Sequence, residues 1–413
     1  MTKPPMLTAQ QALDHLLSHA KPVNETESVA MQASLGRVLA ENVNSLVDVP
    51  PLDNTSMDGY AVRTADAQHS GNLLKIAQRI PAGSVGTTLE PGTVARIFTG
   101  APVPPGADAV VMQEDCSIPE GLTDQVQINA APAVGQWIRR RGEDLMTGKV
   151  ALTAGTFLRP QELGVAASAG LTHLAVKRRV KVAAFFTGDE LALPGEPLKP
   201  GGIYNSNRDT LLACLKSLGC DATDLGIVPD RLDATKAALR KASKDHDLII
   251  TSGGVSVGEE DHIKPAVSAE GRLDLWQIAI KPGKPLAFGA VRKSDDPKAG
   301  EAWFIGLPGN PVSSFVTFLL FVRPFILKLQ GREAKQPQFY MMRADFDWLK
   351  ADRRNEFLRV KLNSNGGLDL FPNQSSGVLT SASWGDGLVD CPPSQPIKAG
   401  DLVKYIPFDA LLQ

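Results

Sequence analysis

The sequence predicts a multidomain α/β protein whose central part is a doubly wound α/β domain. The chain has 413 residues, which is too many for a single hydrophobic core. From Val180 onward, apolar strand-like runs alternate with helical patterns over about 150 residues, and this alternation favours a parallel sheet with right-handed crossovers. On both sides of that region, short β-like runs are broken by glycine and proline, so smaller β-rich domains are expected there.

The N-terminal part, up to about residue 43, has a helical pattern. Its first segment, MTKPPMLTAQQALDHLLSHA, lacks the apolar centre of a signal peptide. It predicts an amphipathic helix with one apolar face, made of Leu13, Leu16, Leu17 and Ala20. A second helical piece is expected at residues 160–171.

Two regions have the composition of β domains. Residues 44–143 contain the runs YAV, VARIF, DAVVM and VQI. After residue 330 come the runs FLRVKL, GLDLF and DLVKYI. Each set predicts a compact domain of short strands joined by turns.

The central region supplies both strands and helices. The runs VKVAAFF, LIIT, LWQIAI and WFIGL predict buried parallel strands. The segment NRDTLLACLKSLG predicts a helix, and LDATKAALRKA predicts another. The inward positions expected for the first are Leu211, Leu215 and Leu218, with Gly219 as the stop, and those for the second are Leu232, Leu239 and Ala242.

Composition narrows the function classes. The net charge of -2 gives no long-range field for nucleic acid. The four cysteines form no C-x-x-C pair and have no histidine at ligand spacing, so a reduced cytoplasmic protein is favoured over a zinc protein. The most apolar window, residues 315–322, is too short to cross a bilayer and predicts a buried helix instead.

Polar residues collect just past the carboxyl ends of the predicted strands, where open α/β sheets bind ligands. The segments are TGDE at 187–190, PD at 229–230, TSGGVSVGEED at 251–261, KPGKP at 281–285 and LPGNPVSS at 307–314. The opposite ends of the strands look plain by comparison. This asymmetry predicts a ligand site along one rim of the sheet.

The loop TSGGVSVGEED combines phosphate-binding and cation-binding chemistry. The hydroxyls of Ser252 and Ser256 and the amides of Gly253 and Gly254 would cradle a phosphate, although the glycine spacing matches neither the P-loop nor the dinucleotide fingerprint. The acids that end the loop, including Asp261, would repel a phosphate unless a divalent cation lies between them. Mg²⁺ is commonly held in this way, which favours attack on a phosphate ester or anhydride.

Each of these features also has a purely structural interpretation. Asp230 and Asp261 would serve equally as helix caps, Lys281 and Lys284 as solvated surface lysines, and GLPGNP as a turn before a helix. In the β-rich region, Asp58 and Thr99 fit ordinary turns, and RRRGED fits either a solvated charge run or a phosphate-ordering group. Convergence of the strand-end segments on one rim favours the functional interpretation.

Seven motifs occur in order between residues 53 and 314, within a resemblance that runs from about residue 8 to residue 408: DNTSMDGYAV, FTGAPVPPGADAVV, RRRGEDL, FFTGDEL, TSGGVSVGEED, IKPGKP and GLPGNPVSS. This set resembles the molybdopterin molybdenumtransferase family, that is, MoeA-type proteins and the C-terminal region of gephyrin. The resemblance implies a cytoplasmic enzyme of molybdenum cofactor biosynthesis. It would insert molybdate into adenylylated molybdopterin with Mg²⁺ and release AMP. Neither nucleic acid nor membrane is expected as a partner.

The resemblance also implies a domain arrangement and an assembly. The expected domains are a helical and extended one (1–43 with 145–178), a β-rich one (44–144), an α/β/α molybdopterin-binding one (179–329) and a C-terminal β-barrel (330–413). The family forms homodimers whose cleft lies between the α/β domain of one subunit and the β-rich domain of the other. The molybdopterin adenylyltransferase and acceptor molybdoenzymes are expected partners.

Carried over by position, the resemblance assigns catalytic roles to Asp58, Thr99, Glu190, Asp230, Asp261 and Lys281. It assigns substrate contacts to Asp144, Pro308, Pro311 and either Ser375 or Ser376, to which the loop chemistry adds Ser252, Gly253, Gly254, Ser256 and Lys284. Asp230 and Asp261 are the expected Mg²⁺ ligands. An insertion relative to close relatives, residues 292–302, is expected in a hairpin or loop.

Two other functions fit parts of the sequence. An adenylyltransferase acting one step earlier uses the same type of α/β domain, but it does not need the flanking β domains. It would consume ATP without molybdate. A non-catalytic scaffold is the second alternative, because the gephyrin region also anchors partners; here no extra domain or long linker supports it. Pterin binding without AMP release would favour that role.

Overall fold

The computed structural model describes residues 6–69, 71–255, 262–333 and 336–412. The chain forms two compact units, one made of Met1–Glu27 with Lys177–Gln413 and the other of Ser28–Val176. A two-stranded ladder, Thr26–Ala30 with His173–Lys177, contains both points where the chain passes from one unit to the other. The predicted division into four domains stays a prediction.

The unit Ser28–Val176 is built around a mixed β-sheet. In spatial order its strands are Ala109–Met112, Gly59–Val62, Thr93–Ile97, Asn72–Ile80, Gln125–Ile128 and Cys116–Ser117. The predicted runs YAV, VARIF, DAVVM and VQI are therefore confirmed as strands. Both faces are covered, because Tyr60 and Val62 belong to one apolar cluster and Ala61 to another. The strand Asn72–Ile80 was not predicted, since only Leu74 and Ile80 in it are buried.

Short elements complete this unit. They are the helix Pro160–Ser168, the 3₁₀ turns Met31–Ser34, Thr64–Asp66 and Gln113–Asp115, and the two-stranded ladders Val43–Asn44 with Val150–Leu152 and Asn54–Thr55 with Ile138–Arg139. The prediction of a helix at residues 160–171 is confirmed. Beyond His19 the prediction of helical structure up to residue 43 is wrong except for the 3₁₀ turn Met31–Ser34, because TESVA at Thr26–Ala30 pairs as a strand.

The α/β part of the other unit contains the predicted parallel sheet. The described strands run in the order Asp221–Val228, Lys181–Thr187, Leu248–Ser252, Glu301–Leu307, Pro285–Arg292 and Gly271–Gln277. The first four are mutually parallel, and the last two are antiparallel to their neighbours. The run LWQIAI was wrongly predicted as one parallel strand. Its first half lies in the antiparallel edge strand, and Ile280–Lys281 pairs with another sheet.

Helices cover both faces of this sheet. They are Ala9–His19, Ser206–Ser217, Leu232–Asp245, Ile263–Glu270, Pro311–Thr317 and Arg323–Leu329. Val182 and Phe186 pack with the helices Ala9–His19, Ser206–Ser217, Pro311–Thr317 and Arg323–Leu329. Ala183 and Phe185 pack with the helices Leu232–Asp245 and Ile263–Glu270 on the other face. Alternate residues of one buried strand thus face two helical layers, as a doubly wound sheet requires. Leu232 was wrongly predicted to face inward; it begins its helix and is 37% exposed.

The apolar window 315–322 lies in one continuous helical segment, Pro311–Leu329, which includes a π-helical turn at Phe318–Val322. The segment has 19 residues and a mean hydropathy of 1.7, so length and composition alone would let it cross a membrane. The length argument from the sequence was therefore wrong. The predicted burial is confirmed, since 83% of its most apolar window is buried within the protein, as in the core helix of a globular domain.

The C-terminal region forms a nearly closed β-sheet. Its strands run in the order Ile280–Lys281, Asn355–Leu362, Gly387–Cys391, Leu402–Pro407 and Tyr340–Arg343, and Leu368–Leu370 also pairs with Asn355–Leu362. A bridge between Ala344 and Leu368 brings the two ends of the sheet together. The short helices Thr380–Trp384 and Phe408–Leu412 complete the region. The insertion at 292–302 lies in the hairpin between Pro285–Arg292 and Glu301–Leu307, as expected.

Candidate functional site

A cleft of about 760 Å³ lies at the carboxyl ends of the parallel strands. The structure brings these predicted residues together in its lining: Glu190, Asp230, Ser252, Gly253, Gly254, Lys281, Lys284, Pro308, Pro311, Ser375 and Ser376. The predicted residues Ser256 and Asp261 lie outside the described part of the chain. Asp58, Thr99 and Asp144 belong to the other unit.

Glycines allow the strand-end segments to approach one another closely. Gly253 has φ +100°, and a Cβ there would lie 2.6 Å from the backbone oxygen of Thr187. Gly254 has φ +64°, and its Cβ would meet the side chain of Ile263 at 2.6 Å. An L-residue would therefore be strained at both positions and would also clash. The loop after Leu248–Ser252 needs these glycines to lie against the TGDE turn.

Ser252 fastens the strand-end segments to one another. It is only 3% exposed, and its hydroxyl donates a 2.9 Å hydrogen bond to the Pro308 carbonyl. Asn207 donates from Nδ2 to the Ser252 hydroxyl at 2.8 Å and to the Gly309 carbonyl at 2.7 Å. The Ser252 hydroxyl thus shapes the floor of the cleft. Asn207 was missed by the sequence reasoning, although it lies in the first turn of a helix that follows a strand.

Lys281 is held by carboxylates of the C-terminal region. Its Nζ lies 2.9 Å from Glu356 Oε1 and 3.6 Å from Asp352 Oδ2. Glu356 is 1% exposed, and its Oε2 accepts hydrogen bonds from Trp348 Nε1 and the Asp352 amide, both at 2.8 Å. Because Glu356 Oε1 has no hydrogen bond of good geometry among the described residues, its contact with Lys281 is an ion pair. Glu356 therefore fixes where the ammonium lies.

Arg354 adds a cation that sequence reasoning did not find. It lines the cleft and forms a two-point contact with Asp352, with Nη2–Oδ2 at 2.9 Å and Nε–Oδ1 at 3.0 Å. These hydrogen bonds hold the pKa of Asp352 far below its usual range. Lys284 also lines the cleft and has no carboxylate partner within the described ranges. The cleft can therefore bind anions without losing its own ion pairs.

The last wall of the cleft is a loop of the C-terminal region that contains Ser375 and Ser376. The Ser376 carbonyl accepts from the Val312 amide at 3.0 Å, at the start of the long helix. The Ser375 carbonyl accepts from Arg359 Nη2 at 3.4 Å. Arg359 is 1% exposed, and burial lowers its pKa to about 10. The loop that contains Ser375 is thus held at the cleft by a buried guanidinium.

The cleft offers few ligands for a metal ion. In the part of the chain that the structure describes, no group of three or more His, Cys, Asp or Glu side chains is arranged to hold a metal ion. Glu190 and Asp230 nevertheless both line the cleft. Mg²⁺ commonly uses one or two carboxylates and completes its shell with phosphate oxygens and water. The donors present fit Mg²⁺ only as a partner of a bound phosphate.

The other unit brings three predicted motifs together in one group of segments, called the ridge below, made of residues 53–58, 99–103 and 138–144. Asn54 and Thr55 pair with Arg139 and Ile138, and the Thr55 amide donates to the Ala101 carbonyl. Asp58 Oδ1 accepts from the Thr99 amide and from the Thr99 hydroxyl, both at 2.7 Å. These donors, the amide first, lower the pKa of Asp58. Asp58 and Thr99 thus form one hydrogen-bonded pair.

The RRRGED segment of the ridge is partly structural. Arg140 pairs with Asp53 at 2.7 Å, and Arg141 pairs with Asp48. These two guanidiniums are therefore committed to neighbouring acids. Asp144 is exposed, and its carboxylate has no partner among the residues described. Of the two acids in the motif, Asp144 is the one open to a ligand, since Glu143 accepts from the Arg140 amide.

Known proteins resemble this chain over almost its whole length. Three family descriptions match it: "MoeA N-terminal region (domain I and II)" at residues 7–170, "Probable molybdopterin binding domain" at 183–328, and "MoeA C-terminal region (domain IV)" at 342–408. A molybdopterin molybdenumtransferase of Haemophilus influenzae is 41% identical over 98% of this chain and 100% of its own. One from Nostoc is 36% identical over 89% of this chain and 85% of its own.

A solved structure shows the same likeness in three dimensions. The crystal structure of the molybdopterin biosynthesis MoeA protein from Pyrococcus horikoshii OT3 has a TM-score of 0.83 and 28% identity. It covers 98% of this chain and 100% of the Pyrococcus chain.

Proposed function

This chain belongs to the molybdopterin molybdenumtransferase family, a family of transferases, and from that premise we propose that it inserts molybdate into adenylylated molybdopterin, releasing AMP. The observation that carries the proposal is the convergence of the strand-end segments on one cleft. A volume of about 760 Å³ is within the usual range for sites that bind organic cofactors. We place the reaction in the cytoplasm.

The charges of the side chains in the cleft determine which residues would contact the anionic ligands and which would contact Mg²⁺. Molybdate and the phosphates of the pterin ligand are anions, so they would bind Lys281, Lys284 and the loop amides rather than the acids. Asp230 and Asp261 would hold Mg²⁺ or orient water, with Glu190 beside them. Mg²⁺, when bound, would neutralise negative charge that develops on the phosphate. Pro308 and Pro311 would shape the loop beside the anion.

The protein is proposed to act as a homodimer with shared sites. In that arrangement the ridge of one subunit, with Asp58, Thr99 and Asp144, would complete the cleft of the other. Two inactive variants test this, Asp58→Asn in the ridge and Lys281→Ala in the cleft. After subunit exchange, mixed dimers with one intact site should restore about a quarter of wild-type activity. No recovery after verified exchange would show that each site comes from a single chain.

The activity itself is tested with purified full-length protein, adenylylated molybdopterin, Mg²⁺ and molybdate. AMP release and protein-bound molybdenum should rise together, and both should need molybdate. ATP consumption without molybdate would instead indicate an adenylyltransferase. Pterin binding without any AMP would indicate a scaffold. Acceptance of the pterin from the adenylyltransferase, and its delivery to acceptor molybdoenzymes, are the partner interactions that this activity would require.

A further inference from the structure

Trp137 combines a disfavoured backbone conformation with an exposed side chain. Its φ is +57°, in the left-handed region that bulky residues rarely adopt, and the residue is 37% exposed. Within the described ranges, Ser394 is the only other non-glycine residue with positive φ. Glycine or asparagine would fit this backbone with less strain. Tryptophan in addition exposes part of an apolar indole to water. The fold gives no reason for a bulky aromatic residue at this position.

The surrounding structure fixes this conformation. The Trp137 carbonyl accepts hydrogen bonds from the Ser56 amide at 2.9 Å and the Ser56 hydroxyl at 3.1 Å. On one side the Gln136 carbonyl accepts from the Val110 amide at 3.0 Å. On the other side Ile138 pairs with Thr55. The indole is therefore presented from a rigid backbone.

Trp137 lies directly beside the ridge. Ser56, which holds its carbonyl, is two residues before Asp58, and Ile138 begins the ridge segment that pairs with Thr55. The backbone of Trp137 is therefore joined to the segment that carries Asp58.

Among the side chains that the structure describes, none that lines the cleft in the other unit is aromatic. This lining contains glycine, proline, serine, threonine, asparagine, glutamine, charged and aliphatic residues. Residues 256–261 contain no aromatic residue in the sequence, and the side chain of Trp276 lies outside those that the structure describes. The described lining therefore offers no stacking surface to a ligand with flat heteroaromatic rings, although such rings bind aromatic side chains well.

We infer that Trp137 is a substrate-contacting residue that stacks its indole on a fused-ring nitrogen heterocycle, a purine or a pterin. The inference rests on the proposed function, in which the ligand carries both ring systems and the ridge completes the cleft of the partner subunit. Stacking needs an accessible aromatic side chain on a fixed backbone, and it does not need hydrogen bonds to the ring. Trp137 has a partly exposed indole and a hydrogen-bonded backbone. Its backbone strain is then retained for ligand binding.

The test uses the full-length protein with three probes: AMP, ribose 5-phosphate, and 6-hydroxymethylpterin. Binding is measured by calorimetry for wild type, Trp137→Gly and Trp137→Phe. The glycine variant should lose about tenfold or more in affinity for AMP or for the pterin, and the phenylalanine variant should lose only a few-fold. Ribose 5-phosphate should bind all three proteins equally. Loss for AMP alone identifies the purine, and loss for the pterin alone identifies the pterin.

Several outcomes would overturn the inference. The glycine variant could bind every probe as wild type does, or it could lose ribose 5-phosphate along with the ring probes because the ridge has shifted. Wild type that binds neither ring probe would count against it equally. Thermal melting of the three proteins shows whether a variant that binds a probe more weakly is still folded. The proposed function has its own readout: it fails if wild type releases no AMP, whatever Trp137 does.

Discussion

Replacement of Glu356 tests how the C-terminal region holds the cleft. Glu356 is 1% exposed and accepts hydrogen bonds through Oε2 from two half-buried N–H donors, while Oε1 faces Lys281. Glu356→Gln keeps an oxygen for both donors and removes only the charge. Glu356→Ala removes the acceptor as well and leaves the Trp348 indole and the Asp352 amide without a partner.

The two variants should therefore differ in stability. Hydrogen bonds to a charged group contribute about 1.5–3 kcal/mol each, so the alanine variant should lose about 3–5 kcal/mol. The glutamine variant should lose only about 1–2 kcal/mol, because its bonds become neutral ones. Lys281 is 39% exposed, so its ion pair adds at most about 1 kcal/mol to either value.

Hydrogen exchange of the strand Asn355–Leu362 measures this local free energy directly. Molybdate affinity, measured in parallel, should fall in both variants because the Lys281 ammonium loses its fixed position. Equal destabilisation by glutamine and alanine would show that the charge, and not the acceptor, stabilises the strand. An alanine variant as stable as wild type would refute the whole account of this buried carboxylate.

Further predictions concern the glycine loop and the ridge. Gly253→Ala should weaken molybdate and AMP binding and destabilise the protein by about 2 kcal/mol or more, because φ is +100° and the new Cβ would lie 2.6 Å from the Thr187 oxygen. Gly300→Ala is the matched control for backbone strain alone, because Gly300 has φ +77° and no atom within 4 Å of the new Cβ. If both variants lose the same free energy of unfolding, the clash with the Thr187 oxygen does not contribute. Thr99→Val should raise the pKa of Asp58, measured by carboxyl NMR titration, yet leave it below its usual value because the amide still donates. Since folding lowers that pKa, the ionised carboxylate stabilises the fold above about pH 4, and this contribution is lost as the pH falls through the folded pKa. As the pH falls, Thr99→Val should lose the stabilisation by the ionised Asp58 carboxylate at a higher pH than wild type does. An Asp58 titration that is the same in the variant and in wild type would contradict the role of the Thr99 hydroxyl.

Local patterns predicted the strands and most helices well. VKVAAFF and LIIT are buried on both faces of the parallel sheet, and NRDTLLACLKSLG ends as a helix just before Gly219. The errors have a common cause. TESVA at Thr26–Ala30 and LWQIAI are ambiguous in isolation, and their strand partners, His173–Lys177 and Asn355–Leu362, are far away in the chain.

By itself, the sequence determined the family, the doubly wound centre and the rim where strand ends supply polar residues, because periodicity and turn chemistry are local properties. Only the tertiary structure decided what each polar side chain does. Ser252 is buried and hydrogen-bonded to the Pro308 carbonyl, and Lys281 is paired with Glu356. Arg354 lines the cleft although it belongs to the C-terminal region. These assignments depend on contacts between residues far apart in the chain, and no local pattern encodes their distances or their burial.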